Sequence, residues 1–343
     1  MKRKLSLSCI KHIDDDGVIH VDKKIDTLDD LIHLSYMYIP GYLYNIDLYR
    51  LQCIREPLIK LNKTIGLEKI KKDIIKHILF FLQDFQGANN DMLHTVIQGA
   101  PGVGKTMVAQ IIGEIYWKLG IINSGIDNNY KFKIVKRSDL IGQYLGTTAK
   151  KTQDVINSCI GGVMFIDEAY SLGNEEKRDI YAKECIDTIN QNLTEKKGQF
   201  LCIIAGYEKD LNACFFSYNP GLRRRFPFVY TINKYSHEDL SKIFRSMITK
   251  DKWRLNIDSG TLNEIFKNNY DVFVNMAGDI ETLVFNCKLE HSTRVFCMHE
   301  YHKNKVTEKD LMKAIDALKK TRNFDKVSER KDFEESLMRT LYC

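Results

Sequence analysis

The sequence predicts an α/β protein in which a parallel sheet lies between helices and a small all-α region follows. Three observations carry this. Short apolar runs alternate with stretches of helical periodicity through the middle of the chain, the pattern of a parallel sheet covered on both faces. Residues Gly99 to Thr106 read Gly-Ala-Pro-Gly-Val-Gly-Lys-Thr, a complete G-x-x-x-x-G-K-[ST] phosphate-binding loop set between an apolar run and a helical one. Past Lys234 the strand signals stop and only helical ones remain.

Taken in order, residues 1–57 mix charges with tyrosines and leucines, are punctuated by Pro40-Gly41 and Pro57, and are expected to form an N-terminal extension and linker. Residues 58–233 are expected to form the large α/β domain. From Leu58 to Phe85 the apolar residues Leu61, Ile65, Ile70, Ile74, Ile78, Leu79 and Leu82 fit a helix that follows an Ile65-Gly66 turn. Strands are expected at Thr95 to Gln98, Lys131 to Val135, Val163 to Asp167, Phe200 to Ala205 and Phe228 to Ile232, with a helix from Met107 to Leu119 after the first. Residues 234–320 are expected to form a helical lid, with helices at His237 to Thr249, Thr261 to Asn268, Asp279 to Met298 and Leu311 to Leu318. The last is opened by a Thr307-Glu-Lys-Asp310 capping box. Residues 321–343 read as a polar C-terminal tail.

With 343 residues, 44% hydrophobic and 28% charged, the chain has room for about two or three domains with buried cores. A net charge of +6 permits a nucleic-acid partner without favouring one. The nine cysteines are odd in number and never spaced as CxxC, which predicts reduced thiols and an intracellular setting, cytoplasmic or nuclear. The basic start lacks a long apolar core and no apolar run approaches the ~18 residues of a membrane span. Neither secretion nor membrane insertion is expected.

The phosphate loop sets the chemistry. Gly99, Gly102 and Gly104 let the backbone approach an anion closely, and the following helix offers unpaired N–H groups and its positive dipole end. Pro101, Gly102, Val103, Gly104, Lys105, Thr106 and Met107 are therefore expected to contact ATP, Lys105 at the β/γ-phosphates and Thr106 on Mg²⁺. Val163-Met-Phe-Ile-Asp167-Glu168, an apolar run ending in two carboxylates, follows Lys105 by 62 residues. At that strand tip Asp167 can position Mg²⁺ and its waters while Glu168 polarises the attacking water; the bland alternative is an acidic helix cap. Arg223-Arg224-Arg225 concentrates three guanidinium groups in one turn, costly if buried unpaired. It suits the rim of a subunit, where one arginine can stabilise charge at a neighbour's γ-phosphate, or a solvated basic turn.

These motifs resemble the AAA+ ATPases, and within them the branch containing red-type Rubisco activase and sporulation stage V protein K, with relatives in large DNA viruses. The resemblance runs from about Ile65 to Lys320 and rests on IGLEKIK, QGAPGVGKT, IGQYLGTTAKKT, VMFIDEAYSL, IIAGYEKDL and NPGLRRRFPF. It implies a P-loop AAA+ domain followed by a small all-α lid, Ile65 and Gly66 near adenine, and Asp167 and Glu168 as Walker B. It further implies Arg225 as arginine finger with Arg223 as its alternative, and a homohexameric ring. Two positions depart from the common pattern: Gly206-Tyr207 occupies a sensor site that often carries Asn or Thr, leaving Tyr207 as candidate, and Gly278-Asp279-Ile-Glu281 places acids where many relatives carry a second sensor arginine.

Ile141-Gly-Gln-Tyr144-Leu145-Gly146 resembles the aromatic pore loop of protein-remodelling members. An aromatic side chain on a glycine-hinged loop can press on any extended polypeptide without reading its sequence; a tyrosine buried at a strand-helix junction is the alternative. Glu175 to Asp179 reads as a second axial loop or a charged surface turn. Cys297, His299 and His302, with His291 nearby, have metal-like spacing, but no second pair completes a tetrahedral set, so an exposed helix end is favoured. The expected function is an ATP-hydrolysing protein remodeller or chaperone-like translocase. The alternatives are a nucleic-acid motor or loader and a nucleotide-controlled scaffold.

Overall fold

The computed structural model describes residues 10–13, 17–85, 92–122, 129–144, 146–250, 252–299 and 303–322. The chain divides into Met1–Ala100 with Gly104–Asn233, the sheet unit, and Pro101–Val103 with Lys234–Cys343, the helical unit.

Ahead of the main sheet, β1 (Ile10–Ile13) runs antiparallel to β2 (Val18–Val21), and β3 (Leu43–Tyr44) joins β2 in parallel. Helix α1 (Leu28–Ser35) opens on Thr27, whose hydroxyl accepts the Asp30 N–H while the Asp30 carboxylate accepts the Thr27 N–H, satisfying two helix-end donors at once. Helices α2 (Leu48–Cys53) and α3 (Arg55–Asn62) bury Leu48, Leu51, Leu58 and Leu61. Pro57 lies in the first turn of α3, where its missing N–H costs no helical bond. The stretch expected as extension and linker therefore carries two helices and the start of a third, and α3 packs on the helix of the phosphate loop. A turn with Gly66 and Leu67 both left-handed leads into α4 (Glu68–Leu82), which buries Ile70, Ile74, Ile78 and Phe81.

The five predicted apolar runs become β4 (Thr95–Gly99), β5 (Phe132–Val135), β6 (Val163–Ile166), β7 (Leu201–Gly206) and β8 (Phe228–Ile232). They form one sheet in the order β5-β6-β7-β4-β8, and every pairing is parallel. Strands β6 and β7 are buried at every position, which is why they read as continuous apolar runs and not as alternating ones. Between the strands run α5 (Lys105–Lys118), α6 (Arg137–Leu140), α7 (Thr147–Ser158), α8 (Ile180–Glu195) and α9 (Glu208–Cys214). Because β4 sits between β7 and β8 while the chain leaves it for the far edge strand β5, the strand order reverses beside β4. Such a reversal opens a crevice at the carboxyl ends of the strands.

The helical unit contains α10 (His237–Lys250), α11 (Ser259–Asn268), α12 (Ala277–Val295) and a helix over residues 308–322, α13. To the expected helices it adds one short parallel pair, β9 (Arg254–Asn256) with β10 (Lys305–Thr307). Three residues per strand are too few to register as periodicity. Thr307 donates its N–H and hydroxyl to Asp310 as the capping pattern predicts. Asp310 is also held by Arg294 at 2.8 Å and His291 at 3.2 Å in the interior. Burial by itself raises the Asp310 carboxyl; Arg294, the Thr307 N–H and His291 outweigh it and hold the group well below the usual carboxylate range. No described helix is long and apolar enough to cross a membrane.

Candidate nucleotide site

Strand β4 delivers the chain to Gly99, and the loop turns into α5 through Gly104, a left-handed residue at φ 85° that leaves the helix without a side-chain cap. An uncapped helix start presents its first N–H groups to an anion. Lys105, the first helical residue, is half-buried and donates through Nζ to the Gly99 and Ala100 carbonyls at 3.0 and 2.9 Å. Burial lowers its pKa, and the carboxylates of Asp167 and Glu168 oppose that shift. Thr106 donates its hydroxyl to Asp167 Oδ2 at 3.3 Å, so two hard oxygen donors meet where the sequence places the cation.

Asp167 follows the buried strand β6, and its second oxygen accepts the Glu168 N–H at 3.0 Å. Glu168 itself is exposed and left-handed (φ 50°, ψ 46°), a conformation that costs a non-glycine residue on the order of 1 kcal/mol. That strain starts the tight turn Ala169–Leu172. Tyr170 lies on this turn, and burial together with the nearby Glu168 carboxylate pushes its phenol up to about 12. Its ring stacks on Tyr207, centroids 5.6 Å apart, and Lys105 Nζ lies 5.0 Å from the centre of the Tyr207 ring. Burial, then Glu168 and two aspartates, raise the Tyr207 phenol as well. Lys105, Thr106, Asp167, Glu168 and Tyr207 are thus brought together; Tyr170 joins them although no pattern in the sequence marks it.

The tip of the loop, Pro101–Val103, groups with the helical unit. There the Gly102 carbonyl accepts the Ala277 N–H at 3.1 Å and the Val103 carbonyl accepts the Tyr235 hydroxyl at 3.0 Å. Gly102 has φ +67°, and a Cβ built on it would lie 1.9 Å from the Asn275 carbonyl oxygen, so this position tolerates only glycine. Pro101 and Met107 are exposed. Asp279, at the position of the expected second sensor, accepts the Asn275 N–H at 2.7 Å and pairs with Arg322. An acid in the first turn of α12 suits the positive helix end. Ile65 and Gly66 are half-buried in the turn ahead of α4.

Arg225 is half-buried, donating to Thr194 Oγ1 at 2.8 Å and to the Gly221 carbonyl at 2.7 Å. Arg223 donates to Asn212 at 3.2 Å and lies over the Phe216 ring; Arg224 is exposed. No carboxylate pairs with any of the three among the described residues. Tyr144 is 72% exposed, which excludes the buried-anchor alternative. Its loop is stapled beneath it: Thr147 Oγ1 donates to the Tyr144 carbonyl at 2.7 Å, Thr148 Oγ1 accepts the Gly142 N–H at 3.1 Å, and Gly146 sits at φ +80°. Leu145 lies outside the described residues. In the Glu175 to Asp179 turn Arg178 pairs with Glu176 and Asp179 with Arg137. His291 has both ring nitrogens engaged, by Asp310 and the Lys303 carbonyl, and Cys297 is exposed. His302 lies outside the described residues.

A family model for the ATPase family associated with various cellular activities (AAA) matches residues 95–234. The chain is 43% identical over 290 residues to a putative CfxQ-like protein of Acanthamoeba polyphaga mimivirus, covering 84% of this chain and 70% of that one. It is 34% identical to stage V sporulation protein K of Bacillus subtilis over 57% of this chain and 61% of the relative. To a chloroplastic ribulose bisphosphate carboxylase/oxygenase activase of Cyanidioschyzon merolae it is 34% identical over 59% and 69%. Among solved structures the FIGL-1 AAA domain in complex with ADP aligns with a TM-score of 0.56 at 19% identity, over 75% of this chain and 83% of that one; this likeness shows the shared fold.

Proposed function

Because the chain belongs to the AAA ATPases, in the branch of the CfxQ homologues, stage V sporulation protein K and Rubisco activase, we propose that it spends ATP hydrolysis on remodelling protein substrates as a homohexameric ring. The observation that carries the remodelling step is Tyr144, a residue 72% exposed on a loop whose backbone is stapled beneath it. An aromatic so placed can grip an extended chain by apolar contact, and movement of the loop with nucleotide state would pull on that chain.

Phosphate binding exchanges the two carbonyl partners of Lys105 for phosphate oxygens and keeps the charge of the half-buried ammonium compensated. Thr106 and Asp167 would hold Mg²⁺, which when bound neutralises charge on the β- and γ-phosphates. Glu168 takes the proton of the attacking water, placed by its left-handed backbone and the bond of its N–H to Asp167. Tyr207, between Lys105 and Tyr170, stands at the sensor position. Arg225, with Arg223 as second choice, acts on the site of the adjoining protomer, because its present partners are neutral acceptors that it can give up.

The test uses Glu168→Gln protein loaded with ATP and fluorescein-labelled casein, an unfolded polypeptide. Anisotropy is expected to rise on mixing, and adding Tyr144→Ala to the Glu168→Gln background is expected to shift the binding curve to about ten-fold higher protein concentration. Affinity unchanged by Tyr144→Ala refutes the grip. ATPase stimulation by single-stranded DNA and not by casein would move the protein to the nucleic-acid class.

A further inference from the structure

We propose that Arg137 is a positioning residue that ties the Asp167-Glu168 turn to the Tyr144 loop and also closes the base of the charged turn at Glu175 to Asp179. The proposal rests on the reading of Tyr144 as a grip that responds to nucleotide.

Arg137 opens α6, the four-residue helix after β5. Its Nη1 donates to the Ser171 carbonyl at 2.9 Å and the Leu172 carbonyl at 2.5 Å, and its Nη2 donates to Asp179 Oδ2 at 2.5 Å. Ser171 and Leu172 end the tight turn that starts just after Glu168, and the Ser171 N–H donates back to the Glu168 carbonyl at 2.7 Å. On the other side, α6 runs directly into Ile141 and the loop that carries Tyr144. Lys151 braces that junction by donating to the Ser138 and Ile141 carbonyls at 2.7 and 2.9 Å. One side chain therefore spans from the turn behind the site carboxylates to the short helix that holds the loop.

The same guanidinium grips Leu172 and Asp179, the two ends of the charged segment between them. Asp179 is itself anchored: its Oδ1 accepts the Ala182 N–H at 3.0 Å at the start of α8, and Glu184 on α8 accepts the Ala149 N–H at 3.1 Å in the first turn of α7. Burial acts to raise the Asp179 carboxyl, and the Ala182 N–H and Arg137 overcome it. Both candidate substrate loops thus share one anchor, and that anchor touches the turn that begins just after Glu168. The planar guanidinium fork holds two carbonyls with one nitrogen and the carboxylate with the other in a fixed geometry, which a single ammonium point charge reproduces only in part. A partly exposed ion pair by itself contributes little stability, so the value of this arrangement lies in what it connects.

Hydrogen exchange by mass spectrometry on the full chain tests the link, comparing ADP with the slowly hydrolysed analogue ATPγS. In the wild type, exchange in peptides covering 141–149 and 173–179 is expected to differ at least about five-fold between the two nucleotides, the low end of typical site-to-site coupling. In Arg137→Gln that difference vanishes from both peptides while nucleotide protection of the 99–106 peptide remains. Arg137→Lys keeps part of the difference, and Asp179→Asn, which removes one arm only, also keeps part. A merely structural arginine would raise exchange equally under both nucleotides, and that result overturns the proposal. So does a full nucleotide response in Arg137→Gln, which leaves the Tyr144 grip standing. A wild-type loop that ignores nucleotide while the 99–106 peptide is protected overturns the grip and the link together.

Discussion

Two loops of the sheet unit, the one after β4 and the one after α6, are built on opposite plans. Around Lys105 most functional atoms are half-buried and satisfied, with the ammonium on two carbonyls, Thr106 on Asp167 and Asp167 on the Glu168 N–H, and Glu168 alone exposed. At Tyr144 the functional side chain is exposed and only the backbone beneath it is pinned. The difference follows from the work. Stabilising charge in phosphoryl transfer requires dipoles that are already aimed and do not reorganise. Gripping a chain of arbitrary sequence requires reach and an apolar face.

The sharpest way to break this contrast lies at the arginine turn. Arg225→Ala is expected to lower ATP turnover by about 10³-fold or more, the range for a trans-acting arginine. Mixing it with Lys105→Ala protein should restore part of that turnover, because some shared sites regain both groups. Absence of any recovery in a phosphate-release assay would place Arg225 outside the neighbouring site.

Next in size is Glu168→Gln, which should cut turnover by roughly 10²-fold or more while affinity for a fluorescent ATP analogue stays near wild type. Equal turnover would remove Glu168 from water activation and leave its strained backbone without a catalytic reason.

The rigid side of the contrast has a pH signature. His94, fully buried ahead of β4, accepts the Cys202 N–H at 3.1 Å and contacts the Leu193 carbonyl. Burial holds its pKa down to about 4 from 6.5. A histidine kept neutral in the fold but free to charge when unfolded contributes stability above about pH 6.5 that is lost as pH falls towards 4, on the order of 3 kcal/mol in full. Thermal unfolding between pH 7 and 4 should show this loss, and His94→Leu should flatten it.

The smallest effect tests the exposed side. Tyr144→Ala should weaken casein affinity about ten-fold, the loss expected of one aromatic contact, and Tyr144→Phe should recover most of it. Recovery by Phe would assign the grip to the ring and not to the hydroxyl. Loss in both variants would point to a hydrogen bond.

What could be read from the chain was what local pattern dictates. The central strands β6 and β7 are continuous apolar runs because burial on both faces demands it, and the phosphate loop announces itself because glycines, lysine and threonine must fall at set spacing on one strand-turn-helix unit. What only the tertiary structure decided was partnership at long range. The strand order, the short β9–β10 pair, Tyr170 stacked on Tyr207, His94 joining β4 to β7 and Arg137 reaching Ser171, Leu172 and Asp179 join residues distant in sequence. The three helices between residues 28 and 62 owe their place to the same cause, since each is too short to be stable before it packs. Periodicity reports which face of an element is apolar; which surface covers that face, and which distant carbonyl a guanidinium finds, is settled only when the whole chain has closed on itself.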